Sequence, residues 1–414
     1  MMNINFSILK EISEIHGESF YLLDSKQFKR NYQELEMAFR DIYPNTHIAY
    51  SYKTNYIPKL CKIVNDNGGF AEVVSDMEYN IALKIGVAPQ NIYYNGPYKN
   101  PSAVEKLLLD GGTVNIDSNY ELEIIKEIAS NYPENQLCVG LRCNFDINDG
   151  VKSRFGFDVE SEDFTKAINS INDAHNIKLI GLHCHFATRF IETWSGRPEG
   201  MLKLVAKYFE EPPKFISVGG GLFGKMAPSL KAQFDYDIPT YEDYAQVVAT
   251  QFSDFYKNVE PSKQPKLIIE PGSALVGDAM KFAAKVINIK DIRGKKIATL
   301  AGSIYNINPT LNKKNPPVQV FHNVNNKDKL EMYTDLDFGG YTCIESDYLY
   351  RGFDGEMAVG DYVLFDNVGS YSVVLKPPFI LPNFAVVDYD DESKTIEVIK
   401  HRETFNDVFQ TYEF

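Results

Sequence analysis

The stretch His47–Tyr56, HIAYSYKTNY, is where the reading of the fold is decided. Its first half places apolar and aromatic residues on both alternating faces, the texture of a strand buried on both sides, as in parallel sheets covered by helices. It then meets Lys53, a charged amine at the end of a core strand. A lone lysine there is ordinarily a solvated side chain whose stem covers apolar surface. Seven runs of similar texture follow: GFAEVV from 69, NIYYN from 91, GTVNI from 112, LCVGLRC from 137, IKLIGLHCHF from 177, KFISVG from 214 and KLIIE from 266. Helical segments separate them. SDMEYNIALKIG, from 75, opens on a Ser cap with Glu three residues later and closes on Gly, and SNYELEIIKEIASNY, from 118, carries apolar residues at helical spacing. Eight β/α units predict an α/β domain of (β/α)8 TIM type.

After Glu270 the helical pattern thins. MKFAAKVINIK (280), KKIATLAG (295), PVQVFH (317), DYVLFDNVG (361), NFAVVDYD (383) and KTIEVIK (394) predict an all-β domain, a barrel or sandwich. The barrel is expected over 26–267 and the β domain over 1–25 and 268–414, with a strand near Ser19–Leu23 joining it.

At 414 residues the chain exceeds one ordinary core. A net charge of −14 argues against a nucleic-acid footprint and against attraction to anionic membranes, so a small molecule is the expected partner. The first 23 residues alternate polar and apolar, without the basic and apolar regions of a leader or a membrane span, and a cytoplasmic location is expected. Five cysteines, an odd number without Cys-x-x-Cys spacing, indicate neither a disulfide framework nor structural zinc.

In such a barrel chemistry sits at the C-terminal strand ends. Those ends carry Lys53, then Glu72 and Ser75, Arg142, the group His183, His185, Thr188 and Arg189, the glycines 219–221, and finally Glu270 and Gly272. Their convergence makes Lys53 a candidate reactive amine. GGGLFG (219–224) matches the dinucleotide fingerprint by letters, but it follows the seventh strand and no helix and ribose-binding acid come after it. It reads instead as a tight loop whose N–H groups cradle one phosphate. His183 and His185 share a strand face. They could hold a metal, but no third ligand is in view, and none is assigned. His183 reads as a core histidine and His185 as a ring for stacking on a flat ligand. By themselves, Cys343 in GYTCIESDYLY and Tyr371 in GSYS read as a buried thiol and a turn.

Taken in order, these motifs resemble the fold-type III pyridoxal-phosphate decarboxylases, the group of ornithine and diaminopimelate decarboxylases, over nearly the whole chain. YSYKTN is similar to the strand bearing the cofactor lysine, here Lys53. AEVVSDMEY resembles the acidic segment with Glu72, Ser75 and Glu78, and GLHCHF the strand whose second histidine, His185, stacks on the pyridine ring. SVGGGL is similar to the phosphate loop and IIEPGSAL to the motif whose acid, Glu270, pairs with the pyridine nitrogen. YTCIESD and GSYS resemble the Cys and Gly-x-Tyr blocks that complete the site.

The resemblance implies pyridoxal 5'-phosphate held by Lys53, Glu72, Arg142, His185, Thr188, Arg189, Gly219, Gly220, Gly221, Glu270, Gly272 and Tyr371, with Lys53, Cys343, Glu270 and His185 catalytic. It implies amino-acid decarboxylation through an external aldimine and a quinonoid, with Cys343 protonating Cα from the partner subunit of a homodimer. Racemisation and a non-catalytic cofactor-binding role are the alternatives. Where the family commonly has an arginine after Glu-Pro-Gly to grip the phosphate, Ser273 stands here, and Arg189 is the expected substitute. The aspartate that ornithine-type enzymes place after the cysteine is Ile344, and the Arg-Pro pair of diaminopimelate enzymes is matched by Asn308-Pro309. Asn308, Glu345 and Asp347 are therefore the candidate substrate contacts, and the pattern resembles specialised members acting on amino-acid-bearing metabolites.

Overall fold

The structure is a computed structural model that describes residues 2–323 and 328–414. It divides into two compact units, Lys29–Gly224 with Pro239–Ala274, and Met1–Phe28 with Lys225–Ile238 and Leu275–Phe414.

The first strand, β1 (Ser19–Leu23), belongs to the second unit. The first unit is built from β2 (Thr46–Ser51), β3 (Phe70–Val73), β4 (Ile92–Tyr94), β5 (Thr113–Ile116), β6 (Leu137–Asn144), the short β7 (Phe157–Asp158), β8 (Ile177–His183), β9 (Phe215–Ser217) and β10 (Lys266–Ile269). Eight of them run parallel in the order β5-β4-β3-β2-β10-β9-β8-β6, and pairing of β5 with β6 closes the ring, while β7 extends from β6. This is the eight-stranded barrel the sequence predicts, each expected run supplying one strand. Every residue of β3, β4, β5 and β9 is buried, which is why these strands read as continuous apolar runs without alternation. Ala49, Phe70, Tyr93, Phe215 and Ile268 form one buried cluster. Glycine makes room for one of its rings: a Cβ on Gly140 would meet Phe215 Cζ at 2.9 Å, and Gly181 faces the same ring.

The helices between strands start where side chains supply the missing acceptors. In Asp76–Lys84 the Ser75 hydroxyl accepts from the Glu78 N–H at 3.2 Å, and the Glu78 carboxylate accepts from the Val74 N–H at 2.8 Å.

The second unit holds a mixed sheet of β1 with β11 (Met280–Ile292), β12 (Lys295–Leu300), β13 (Val318–Phe321), β14 (Glu331–Gly339), β15 (Tyr348–Met357), β16 (Tyr362–Phe365), β17 (Val386–Asp390) and β18 (Thr395–Lys400). β1 lies inside this sheet, antiparallel to β11 with Phe20 opposite Ala283 and parallel to β17 with Leu22 opposite Val387. Phe20, Leu22, Ala283, Leu364 and Val387 pack with Leu9 and Ile12 of the helix Phe6–His16. Among the described residues no helix is long and apolar enough to cross a membrane.

Candidate active site

At the C-terminal end of β2 the chain makes one 3-10 turn, Tyr52–Thr54, and this turn carries Lys53. The Lys53 side chain remains about a third exposed, with Nζ donating to Ser51 Oγ at 2.7 Å and ion-paired to Glu72. Burial by itself would lower the lysine pKa, but Glu72 and Glu270 outweigh it, and the amine is held above its ordinary value. Glu72, at the end of β3, also accepts from the Ser51 hydroxyl.

Asn95, one residue beyond β4, links two carboxylates. Its Nδ2 donates to Glu72 Oε1 and to Glu270 Oε1, each at 3.1 Å, while its Oδ1 accepts from Asn115 Nδ2 at 2.7 Å. Glu270, just past β10 and 4 % exposed, further accepts from Ser217 Oγ at 2.7 Å and from His183 Nε2 at 3.2 Å. Burial would push this carboxyl up, yet His183, Lys53 and Ser217 together hold it well below the usual carboxylate range. The Glu-Pro-Gly turn docks on the end of β2, where Ser51 N–H donates to Pro271 O at 3.0 Å, and Gly272 is needed because a Cβ would strike Thr54.

His185 is half-buried, and its Nδ1 accepts from the Gly220 N–H at 3.0 Å, so the ring proton resides on Nε2. Burial, reinforced by Lys53, Arg197 and Arg142, lowers its pKa well below the ordinary value and leaves the imidazole neutral. Gly219 and Gly221 adopt φ of +74° and +91°, a conformation open to glycine and costly for other residues. Thr188 donates to Asp149 Oδ2 at 2.5 Å. The Arg189 guanidinium lies 5.4 Å from the Phe223 ring centroid. Arg142 is buried, donating to Asp117 Oδ1 at 3.2 Å with its guanidinium 4.7 Å from the Phe155 ring centroid.

The remaining candidates lie in the second unit. The loop between β14 and β15 carries Cys343 and Glu345, both exposed. Asp347 is buried and fully engaged: Oδ1 accepts from Ser303 Oγ at 3.0 Å and Ile304 N–H at 2.8 Å, and Oδ2 from the Thr342 hydroxyl at 2.7 Å. Asn308 closes its own loop, donating to Asn312 O at 2.8 Å and accepting from Asn312 Nδ2 at 2.9 Å. Tyr371 sits at φ +64°.

Sequence reading did not single out Ser51, Asn95, Asn115, Ser217 or Arg197. Asn95 and Ser217 stand at or just beyond ends of strands already identified, and asking which neutral residues flank each charged strand end would have found them. Arg197 lies within a helix, where only its place among apolar neighbours marks it.

The sequence model of the family described as "Pyridoxal-dependent decarboxylase, pyridoxal binding domain" matches residues 26–277. The diaminopimelate decarboxylase of Aquifex aeolicus is 26% identical over 423 residues, covering 96% of this chain and 92% of that protein. The crystal structure of diaminopimelate decarboxylase from Methanocaldococcus jannaschii superimposes with a TM-score of 0.85 at 25% identity, covering 98% of this chain and 94% of that one. The arginine decarboxylase of Paramecium bursaria Chlorella virus, at 21% identity and a TM-score of 0.72 over 92% of this chain and 99% of that one, shares the fold.

The barrel residues fit pyridoxal 5'-phosphate. They include a partly exposed amine, a carboxylate kept ionised for a protonated ring nitrogen, and a neutral imidazole. The cradle at Gly221 is one a Cβ would crowd, at 3.3 Å from Phe186 O.

Proposed function

The chain belongs to the pyridoxal-dependent decarboxylases, and from that premise we propose that Lys53 carries the cofactor while the barrel mouth releases the α-carboxylate of an amino acid as carbon dioxide. When bound, pyridoxal phosphate supplies an electron-withdrawing ring that accepts the charge left at Cα. The observation carrying the reading is the buried, ionised Glu270, braced by His183, Ser217 and Asn95 and sharing Asn95 with the partner of Lys53.

Glu72 receives the proton that the Lys53 amine must lose before it acts as a nucleophile. Glu270 keeps the ring nitrogen protonated, and the neutral His185 offers a flat face without adding a competing positive charge. Cys343, exposed on its loop, serves as the acid that protonates Cα in a homodimer with shared sites, supported by the family resemblance of its motif.

The relatives are named for diaminopimelate. In this chain Asn308 stands where the resemblance expects the arginine that binds a distal carboxylate, and the Asn308 amide is spent within its own loop. We therefore assign a substrate whose far end is not a free carboxylate, an amino acid or an amino-acid-bearing metabolite with a neutral or conjugated tail. Carbon dioxide release, with chiral analysis of products, across diaminopimelate, lysine, ornithine and tail-modified analogues tests this. Release from a tail-modified analogue, with diaminopimelate a poor substrate, is expected. Preferred turnover of diaminopimelate would overturn the substrate assignment, and inversion without carbon dioxide would overturn the reaction.

A further inference from the structure

The helix Ile191–Tyr208 buries Arg197 completely. All four of its hydrogen bonds go to backbone carbonyls. Nη1 donates to Val218 at 3.1 Å and Gly220 at 2.7 Å, and Nη2 to Phe186 at 2.8 Å and Thr188 at 3.0 Å. One guanidinium thus ties together the loops that leave β8 and β9. The Trp194 ring centroid lies 3.9 Å from Cζ. Burial lowers its pKa to about 10, so the group is charged at neutral pH.

Among the described residues no carboxylate pairs with this cation; Asp149 and Glu270 act on it only at longer range. A buried charge without a counter-ion is costly, and an aromatic face offsets only part of that cost. The carbonyls it holds reveal where an anion belongs. Because the peptide group is planar and trans, a carbonyl drawn toward the guanidinium turns the next N–H the opposite way. The N–H groups of Ala187, Arg189 and Gly221 are so directed, the last of them in the glycine loop, whereas that of Gly219 donates to Ser217 Oγ at 3.3 Å.

We infer that Arg197 is the positioning residue for the cofactor phosphate, locking both loops so that their N–H groups face the phosphate, whose charge across those peptides balances the buried guanidinium. It supplies from behind the loop the cation that the resemblance places after Glu-Pro-Gly, where this chain has Ser273. Arg189, by contrast, is partly exposed over Phe223. The inference rests on the barrel mouth being the cofactor site and is independent of the substrate.

Apoprotein carrying R197Q or R197K is titrated with pyridoxal phosphate and, separately, with pyridoxal, which lacks the phosphate, reading the absorbance of bound cofactor. The preference for the phosphorylated form should fall by roughly ten- to a hundredfold in R197Q, the scale of lost charge-assisted hydrogen bonds, and by less in R197K, which keeps the charge without the planar fork. An unchanged preference in R197K, or equal weakening of both ligands in either variant, overturns the inference and leaves Arg197 a packing residue. On the unmutated apoprotein, inorganic phosphate should slow amide hydrogen exchange across 186–189 and 218–221. Unaltered exchange there overturns it without any variant. Carbon dioxide is not measured in any arm, so a failed decarboxylation reading would not disturb the result.

Discussion

Two acids at the barrel mouth have opposite electrostatic fates, and each leads to a measurement. Glu270 stays ionised because its surroundings donate to it. Glu270→Gln should therefore retain bound cofactor, seen by its absorbance, while turnover drops by about a hundred- to a thousandfold, the scale of removing one preorganised electrostatic partner. Unchanged turnover would remove Glu270 from the mechanism. Glu78 is buried, and its carboxyl is pushed up from 4.5 to about 7, with burial the main cause and Glu72 adding to it. A folded-state pKa above the unfolded value means that the folded protein binds the proton more tightly. Glu78 thus contributes stability that is full below pH 4.5, declines as the pH rises and is gone above about 7. The swing is about 3 kcal/mol. Urea denaturation of the apoprotein from pH 4.5 to 8 should show Glu78→Gln gaining steadily on the parent chain as the pH rises. Parallel curves would contradict the assignment. Lys53 and Glu270 were legible in the sequence because a charge at the end of an apolar run has few structural explanations. Asn95 and Ser217 were not, since a neutral polar residue at a strand end has many.

At the level of elements, legibility followed burial. The barrel strands announce themselves because both faces are packed, leaving apolar runs that only turns interrupt. The hairpin of β14 and β15 escaped notice because its strands carry Asp335, Asp337, Gly352 and Gly355 and much of their length is not buried, so neither alternation nor continuity survives. The glycine loop was legible as a cradle, though the conformations that make it one were not. Gly219 combines φ of +74° with a site where a Cβ would lie 2.8 Å from His185 Nδ1. Gly219→Ala should cost about 1–2 kcal/mol from the left-handed backbone alone, with further loss because the histidine must move. Thermal unfolding and cofactor titration would register both effects. A variant with parental stability and affinity would show that the loop relaxes freely.

For the whole molecule, the proposed shared site makes a prediction that no single chain can satisfy. Lys53→Ala and Cys343→Ala should each be inactive alone, with the general-acid part of the Cys343 loss roughly a hundred- to ten-thousandfold. Mixed and refolded together they should regain activity, because one site of each heterodimer keeps both residues. Heterodimers that form without recovered carbon dioxide release would leave Cys343 outside the chemistry. The unit holding that cysteine also has a history in time. Because β1 sits between β11 and β17, its partners emerge from the ribosome long after it, and β17 follows β1 by roughly 360 residues, or about 20–70 s at ordinary elongation rates. Until β11 emerges SFYLL is an apolar strand with both edges open, and until β17 emerges one edge stays open, the kind of segment that pairs with whatever strand it meets first. Soluble yield in a producing cell should thus depend on what shelters these five residues during translation, and slowing the ribosome would lengthen their exposure.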